Sequence, residues 1–150
     1  MALPRNMPII YIEDDPDDRI IFAEILKEGS NIYPLRCFET GEKFLDYFRK
    51  TNDTPLLICC DINMPVMTGI ELRKHILANK VLKDKNTPFI FFSTGPIPRQ
   101  LETVNELNVQ GHFLKIPNIH KLSSTVRMII RYWSESIHSN GLMKSDEYLF

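Results

Sequence analysis

The sequence has no run of lysine and arginine, no apolar stretch near the roughly 18 residues that a membrane span needs, and only three cysteines. A nucleic-acid binder usually carries a basic stripe, and a net charge of -1 supplies none, so neither DNA nor a membrane is expected as a partner. Residues Met1 to Met7 carry one arginine but no apolar core and no small-residue cleavage site, so no secretory leader is expected. Cys37, Cys59 and Cys60 form neither a Cys-x-x-Cys pair nor a metal-ligand spacing, and they read as core thiols of a reducing, cytoplasmic protein. His75, His112, His120 and His138 also lack ligand spacing. With 43% hydrophobic and 25% charged residues in 150, disorder is excluded and one ordinary domain is expected.

What is present is a series of short, continuous apolar runs separated by amphipathic segments. Pro8–Ile12, Leu56–Cys60, Phe89–Phe92 and His112–Leu114 do not alternate, and so read as strands buried on both faces. Ile32–Phe38 contains Pro34, which cannot donate to a ladder, and is placed at a sheet edge. Helices are expected over Pro16–Lys27 with Asp15 as N-cap, from Thr40 to about Lys50, after Gly69, after Pro98, and over Ile119–Trp133. Strand followed by helix, five times over, specifies an α/β fold: a parallel sheet joined by right-handed crossovers. The domain is expected over residues 7–133, with a polar tail at 134–150.

Charge follows the apolar runs abruptly. The first strand ends in Glu13, Asp14 and Asp15, the third in Asp61, the fourth in Ser93 and Thr94, and the last in Lys115. In an open parallel sheet these carboxyl ends share one rim, where ligands bind. Asp15, Asp17 and Asp18 are assigned to the helix N-terminus, where the backbone dipole favours negative charge. Glu13, Asp14 and Asp61 then stand close together, and two like charges at ~4 Å repel by about 4 kcal/mol at an effective dielectric of about 20. A hard cation relieves that repulsion, and Mg²⁺ takes one or two carboxylates, waters and a phosphate oxygen. Lys115 and a hydroxyl beside one carboxylate complete a set able to stabilise a transferring phosphoryl group.

These residues carry a resemblance. From Met7 to Trp133 the chain resembles the receiver domain of response regulators, through Tyr-Ile-Glu-Asp-Asp at 11–15, Asp-Ile-Asn-Met-Pro-Val-Met-Thr-Gly at 61–69, Ser93 and Lys115. The resemblance implies a doubly wound, flavodoxin-like sheet of order 2-1-3-4-5 with helices on both faces. It implies Asp61 as phospho-acceptor, Glu13, Asp14, Asp61 and the Asn63 backbone carbonyl as Mg²⁺ ligands, Ser93 as the switch hydroxyl and Lys115 as the phosphoryl-binding cation. A sensor histidine kinase or phosphotransfer protein is the implied donor, and a downstream protein the implied target. The face formed by the fourth helix, last strand and fifth helix is the implied output surface and a candidate for homodimer contact.

Three departures from the family pattern stand out. His112 occupies the position, three before the lysine, where the family usually has an aromatic residue, and a partly buried imidazole there can respond to pH. Ile116 replaces the proline that usually follows the lysine, and Pro117 comes one position late, so the Lys115–Ile116 bond is expected to be trans. The Thr-Gly-Pro-Ile-Pro loop at 94–98 is stiffened by two prolines. Together these residues imply a phosphorylation-switched signalling protein, not an enzyme. One rival is an aspartyl-phosphate phosphatase or phosphotransferase, which haloacid-dehalogenase-like hydrolases exemplify; Asn63 stands where that family favours a second Asp. The other is a degenerate receiver that binds constitutively, against which the complete residue set argues.

Overall fold

The computed structural model describes residues 7–95 and 106–136. In chain order these form β1 (Ile9–Ile12), α1 (Pro16–Glu28), β2 (Leu35–Phe38), α2 (Gly41–Lys50), β3 (Leu57–Cys60) and α3 (Gly69–Ala78). A short α4 (Lys80–Lys83), β4 (Phe89–Ser93), β5 (Gly111–Leu114) and α5 (Ile119–Glu135) follow. The expected helix after Pro98, most of the 94–98 loop, and residues 137–150 of the tail lie outside the described residues.

All pairings are parallel and the order is β2-β1-β3-β4-β5, as expected. Period-two geometry sends alternate residues of each strand to opposite faces. Ile10, Ile12, Ile58, Cys60, Phe89 and Phe91 therefore pack beneath α2 and α3 with Phe44, Phe48 and Leu72. Ile9, Tyr11, Leu57, Cys59, Ile90 and Phe92 pack on the other side with Phe22 and Ile25 of α1 and Val126 and Ile129 of α5. Two covered faces are why the central strands read as unbroken apolar runs.

Each main helix starts where a short polar side chain takes an orphan N–H. Asp15 accepts from the Asp17 N–H, Thr40 from Lys43, Thr68 from Glu71, and Asn118 from His120 and Lys121. Proline at the first position of α1 costs no hydrogen bond there.

Four sequence expectations are corrected. β5 is an edge strand rather than doubly buried: its residues are half-buried and Leu114 is 51% exposed. Three residues are too few for periodicity to separate an edge strand from a central one. β2 begins at Leu35, not Ile32; Pro34 precedes it and its carbonyl accepts the Ile9 N–H at 2.8 Å, so its missing donor is not needed. α5 runs to Glu135, past Trp133, because an Arg131–Glu135 ion pair (3.3 Å) and a Ser134 hydroxyl bond to the Arg131 carbonyl extend its last turn. Cys37 is exposed on the edge strand β2, while Cys59 and Cys60 are buried as expected. No peptide bond among the described residues is cis, so Lys115–Ile116 is trans. No helix among the described residues is long and apolar enough to cross a membrane.

Candidate functional site

The site is assembled by strand ends. Glu13 and Asp14 follow β1, Asp61 follows β3, Ser93 closes β4 and Lys115 follows β5. Ladder bonds carry the pairing into the site: the Asp61 N–H donates to the Ile12 carbonyl (3.0 Å), and the Lys115 N–H to the Ser93 carbonyl (2.7 Å). Glu13, Asp61 and Ser93 are buried, and Ser93 rather than exposed Thr94 is the inward hydroxyl.

Lys115 Nζ lies among three carboxylates. It is 2.5 Å from Glu13, 3.0 Å from Asp18 and 3.7 Å from Asp61 Oδ2. Asp61 Oδ1 accepts the Ile62 N–H at 2.8 Å, which fixes the plane of its carboxylate. One oxygen from each of Glu13, Asp14 and Asp61 lies within 4.8 Å of the others. An all-oxygen, anionic cluster of this size suits a hard divalent cation, which prefers carboxylate ligands.

The loop after Asp61 is held by Gly69, whose N–H donates to the Ile62 carbonyl at 2.8 Å. A Cβ at Gly69 would stand 2.2 Å from the Asp61 carbonyl oxygen, so the turn closes only around a residue without a side chain. Val66 in the same loop is 90% exposed with φ of 69°, a left-handed conformation costly for a β-branched residue.

Burial pushes the Glu13 carboxyl up to about 7, although the hydrogen bond from Lys115 pulls the other way. Asp61 is raised for the same reason, again opposed by Lys115. Burial alone would lower the Lys115 ammonium, but its hydrogen bonds to Glu13 and Asp18 and the nearby charges of Glu13 and Asp61 outweigh that and raise it. The metal-free site therefore holds more protons than its residues would in an unfolded chain.

Two participants were misjudged or missed in the sequence. Asp18, assigned to helix-end charge, bonds Lys115 across 97 residues of chain. Arg19, unremarked in the sequence, donates from Nη1 to the carbonyls of Glu13 (2.7 Å) and Asp14 (3.0 Å) and so fixes the acidic turn. Nothing local marks Asp18, because an acid in the first turn of α1 is favoured there with or without a partner. His112 is half-buried, and its Nε2 lies 2.9 Å from Ser93 Oγ.

A family model described as response regulator receiver domain matches residues 9–127. Response regulator Rcp1 of Synechocystis sp. is 25% identical over 144 residues, covering 91% of this chain and 97% of that protein. A protein-glutamate methylesterase/protein-glutamine glutaminase of Desulfotalea psychrophila is 35% identical over 72 residues, which is 48% of this chain but only 19% of that protein. Among solved structures, the phosphorylated cyanobacterial phytochrome response regulator RcpA aligns with a TM-score of 0.78 at 22% identity, covering 89% of this chain and 97% of that one. The Mn²⁺-bound form of Rcp1 aligns with a TM-score of 0.76 at 25% identity, covering 88% and 97%.

Proposed function

Since the chain belongs to the response regulator receiver family, matched over residues 9–127, we propose that it is a signalling protein switched by phosphorylation of Asp61. The observation that carries the reading is Asp61 itself: a buried carboxylate between the Glu13–Asp14 pair and the Lys115 ammonium, at the carboxyl edge of a parallel sheet. In the proposed step, a carboxylate oxygen of Asp61 attacks the phosphorus of a phosphohistidine on a sensor kinase or phosphotransfer protein. The new O–P bond forms as the P–N bond breaks, and the electron pair stays on the imidazole. Lys115 takes a phosphoryl oxygen, and Ser93 donates its hydroxyl to another.

Glu13, Asp14, Asp61 and the Asn63 backbone carbonyl would hold Mg²⁺, which supplies neutralising charge to the phosphoryl oxygens when bound. A Mn²⁺-bound form of the similar Rcp1 supports binding of a divalent ion. The chain acts as a stoichiometric acceptor with at most slow self-dephosphorylation, in keeping with Asn63 at the position where a second acid would speed turnover. Output is binding rather than catalysis. Leu114 of β5 (51%) and Met128 (56%) and Tyr132 (62%) of α5 are exposed, apolar area suited to a downstream protein or a second copy of the chain. A cytoplasmic location fits the donor, and neither DNA nor membrane contact is proposed.

Incubation with a small phosphodonor and Mg²⁺, followed by intact mass, tests this reading. Wild type is expected to gain one phosphoryl group and Asp61→Asn none, because the near-isosteric amide is a poor nucleophile. Equal gain by both proteins would overturn it.

A further inference from the structure

His112 and Phe91 are direct partners in the β4–β5 register, and their rings meet edge to face at 6.4 Å. Ser93 lies two residues beyond Phe91 on β4, so period-two geometry points its side chain to the same face of the sheet. The His112 ring therefore reaches over Phe91 and places Nε2 at 2.9 Å from Ser93 Oγ. Ser93 is wholly buried, and a buried hydroxyl as a rule has a hydrogen-bond partner. Among the described residues the Ser93 side chain has one hydrogen-bond partner, the His112 imidazole.

Two arrangements of that bond are chemically distinct. If Nε2 is bare, Ser93 donates to it, and the hydroxyl turns only lone pairs towards the acceptor carboxylate. If Nε2 carries hydrogen, it donates to Oγ, and the Ser93 hydrogen is free for another oxygen. A phosphoryl group on Asp61 offers only acceptor oxygens, so it accepts a hydrogen bond from Ser93 only in the second arrangement. We propose that His112 is a positioning residue for Ser93: loading Nε2 with hydrogen turns the Ser93 hydroxyl towards the phosphoryl group, and phosphorylation in turn loads Nε2. This rests on the acceptor reading of Asp61 given above.

The hydrogen reaches Nε2 either from Nδ1, by exchange of tautomers through solvent, or from solution, giving the imidazolium; no bond to phosphorus is made or broken. Acid supplies the second route, because the imidazolium always carries hydrogen at Nε2. From β4 the ring faces Phe91 and Ser93, neither of them charged, and no charged group among the described residues adds to the lowering of its basicity by burial. By linkage, a phosphoryl group and a hydrogen at Nε2 favour one another equally.

The full chain labelled with ¹⁵N-histidine and titrated with beryllium fluoride in the presence of Mg²⁺, the beryllofluoride taking the place of an aspartyl phosphoryl group, tests the relay. In the unmodified protein at pH 7.5 the His112 Nε2 shift is expected in the range of a bare ring nitrogen. On saturation it should move to the range of an N–H nitrogen, and in Ser93→Ala it should stay where it began. Acidification to pH 6 should also raise beryllofluoride affinity in wild type relative to His112→Phe by about fivefold, the lower end of ordinary coupling between sites. An Nε2 that carries hydrogen from the start, or that responds equally in Ser93→Ala, overturns the relay. Wild type that binds no beryllofluoride would overturn the acceptor reading and the relay with it. ¹⁹F spectra of the same samples show directly whether that has happened.

Discussion

Gly69→Ala is expected to destabilise the protein by about 3 kcal/mol or more, lowering its melting temperature by about 6–12 °C, and to slow phosphorylation of Asp61. The added methyl would stand 2.2 Å from the Asp61 carbonyl oxygen and 3.1 Å from the Ile62 Cα, both backbone atoms that cannot rotate aside. Relief requires the 61–69 turn to open, which stretches the Gly69 N–H bond to Ile62 and moves the acceptor relative to Lys115. Gly95→Ala is the control, because a Cβ there meets nothing within 4 Å among the described residues. Thermal unfolding and phosphodonor kinetics on both variants check the claim. A Gly69→Ala protein as stable and as reactive as the Gly95→Ala control would show that the turn does not depend on this close approach.

Mg²⁺ is expected to raise the melting temperature, and by more at pH 8 than at pH 5.5. At about ten times its dissociation constant, an ion that binds only the native state stabilises by about 1.4 kcal/mol, or about 3–6 °C for a chain of this size. The pH dependence follows from Glu13, which burial raises to about 7 while Lys115 opposes. Between the carboxyl's ordinary value and about 7, the native state holds a proton that the unfolded chain has released. This group's contribution to metal-free stability is therefore complete at low pH and lost as pH rises through about 7. The ion requires the released carboxylate, so its benefit grows as the metal-free site becomes less favourable. Asp14→Ala and Asp61→Ala should remove the Mg²⁺ response, each by deleting one of three converging oxygens. A midpoint unmoved by millimolar Mg²⁺ at pH 8, or moved equally in Asp61→Ala, would count against the cluster as a metal site.

Much of this architecture is written in local chemistry. The runs Ile9–Ile12, Leu57–Cys60 and Phe89–Ser93 are apolar on both sides because both sheet faces are covered, and the polar residue closing each run marks the functional rim. Asp15 and Thr40 announce two helices through their capping oxygens. Less legible was whatever depends on contacts between distant segments. Nothing local distinguishes β5 from an interior strand, since edge position is decided by the chain that does or does not pair beside it. Asp18 looks like any acid in a helix's first turn, a position the dipole favours with or without a partner. Only the approach of Lys115, 97 residues away, gives it a place in the site. The Ser93–His112 bond spans 19 residues and depends on the β4–β5 register, which the apolar pattern of three residues leaves open.

The central claim is that one side chain, Asp61, forms a covalent acyl phosphate. Borohydride reduces such a mixed anhydride to the alcohol, converting aspartyl phosphate to homoserine and leaving free carboxylates untouched. Wild-type protein treated with a small phosphodonor and Mg²⁺, reduced and then mapped by peptide mass, is expected to carry homoserine at position 61 and at none of Asp14, Asp15, Asp17 or Asp18. Homoserine at any other aspartate, or none in protein that has gained phosphoryl mass, would contradict it.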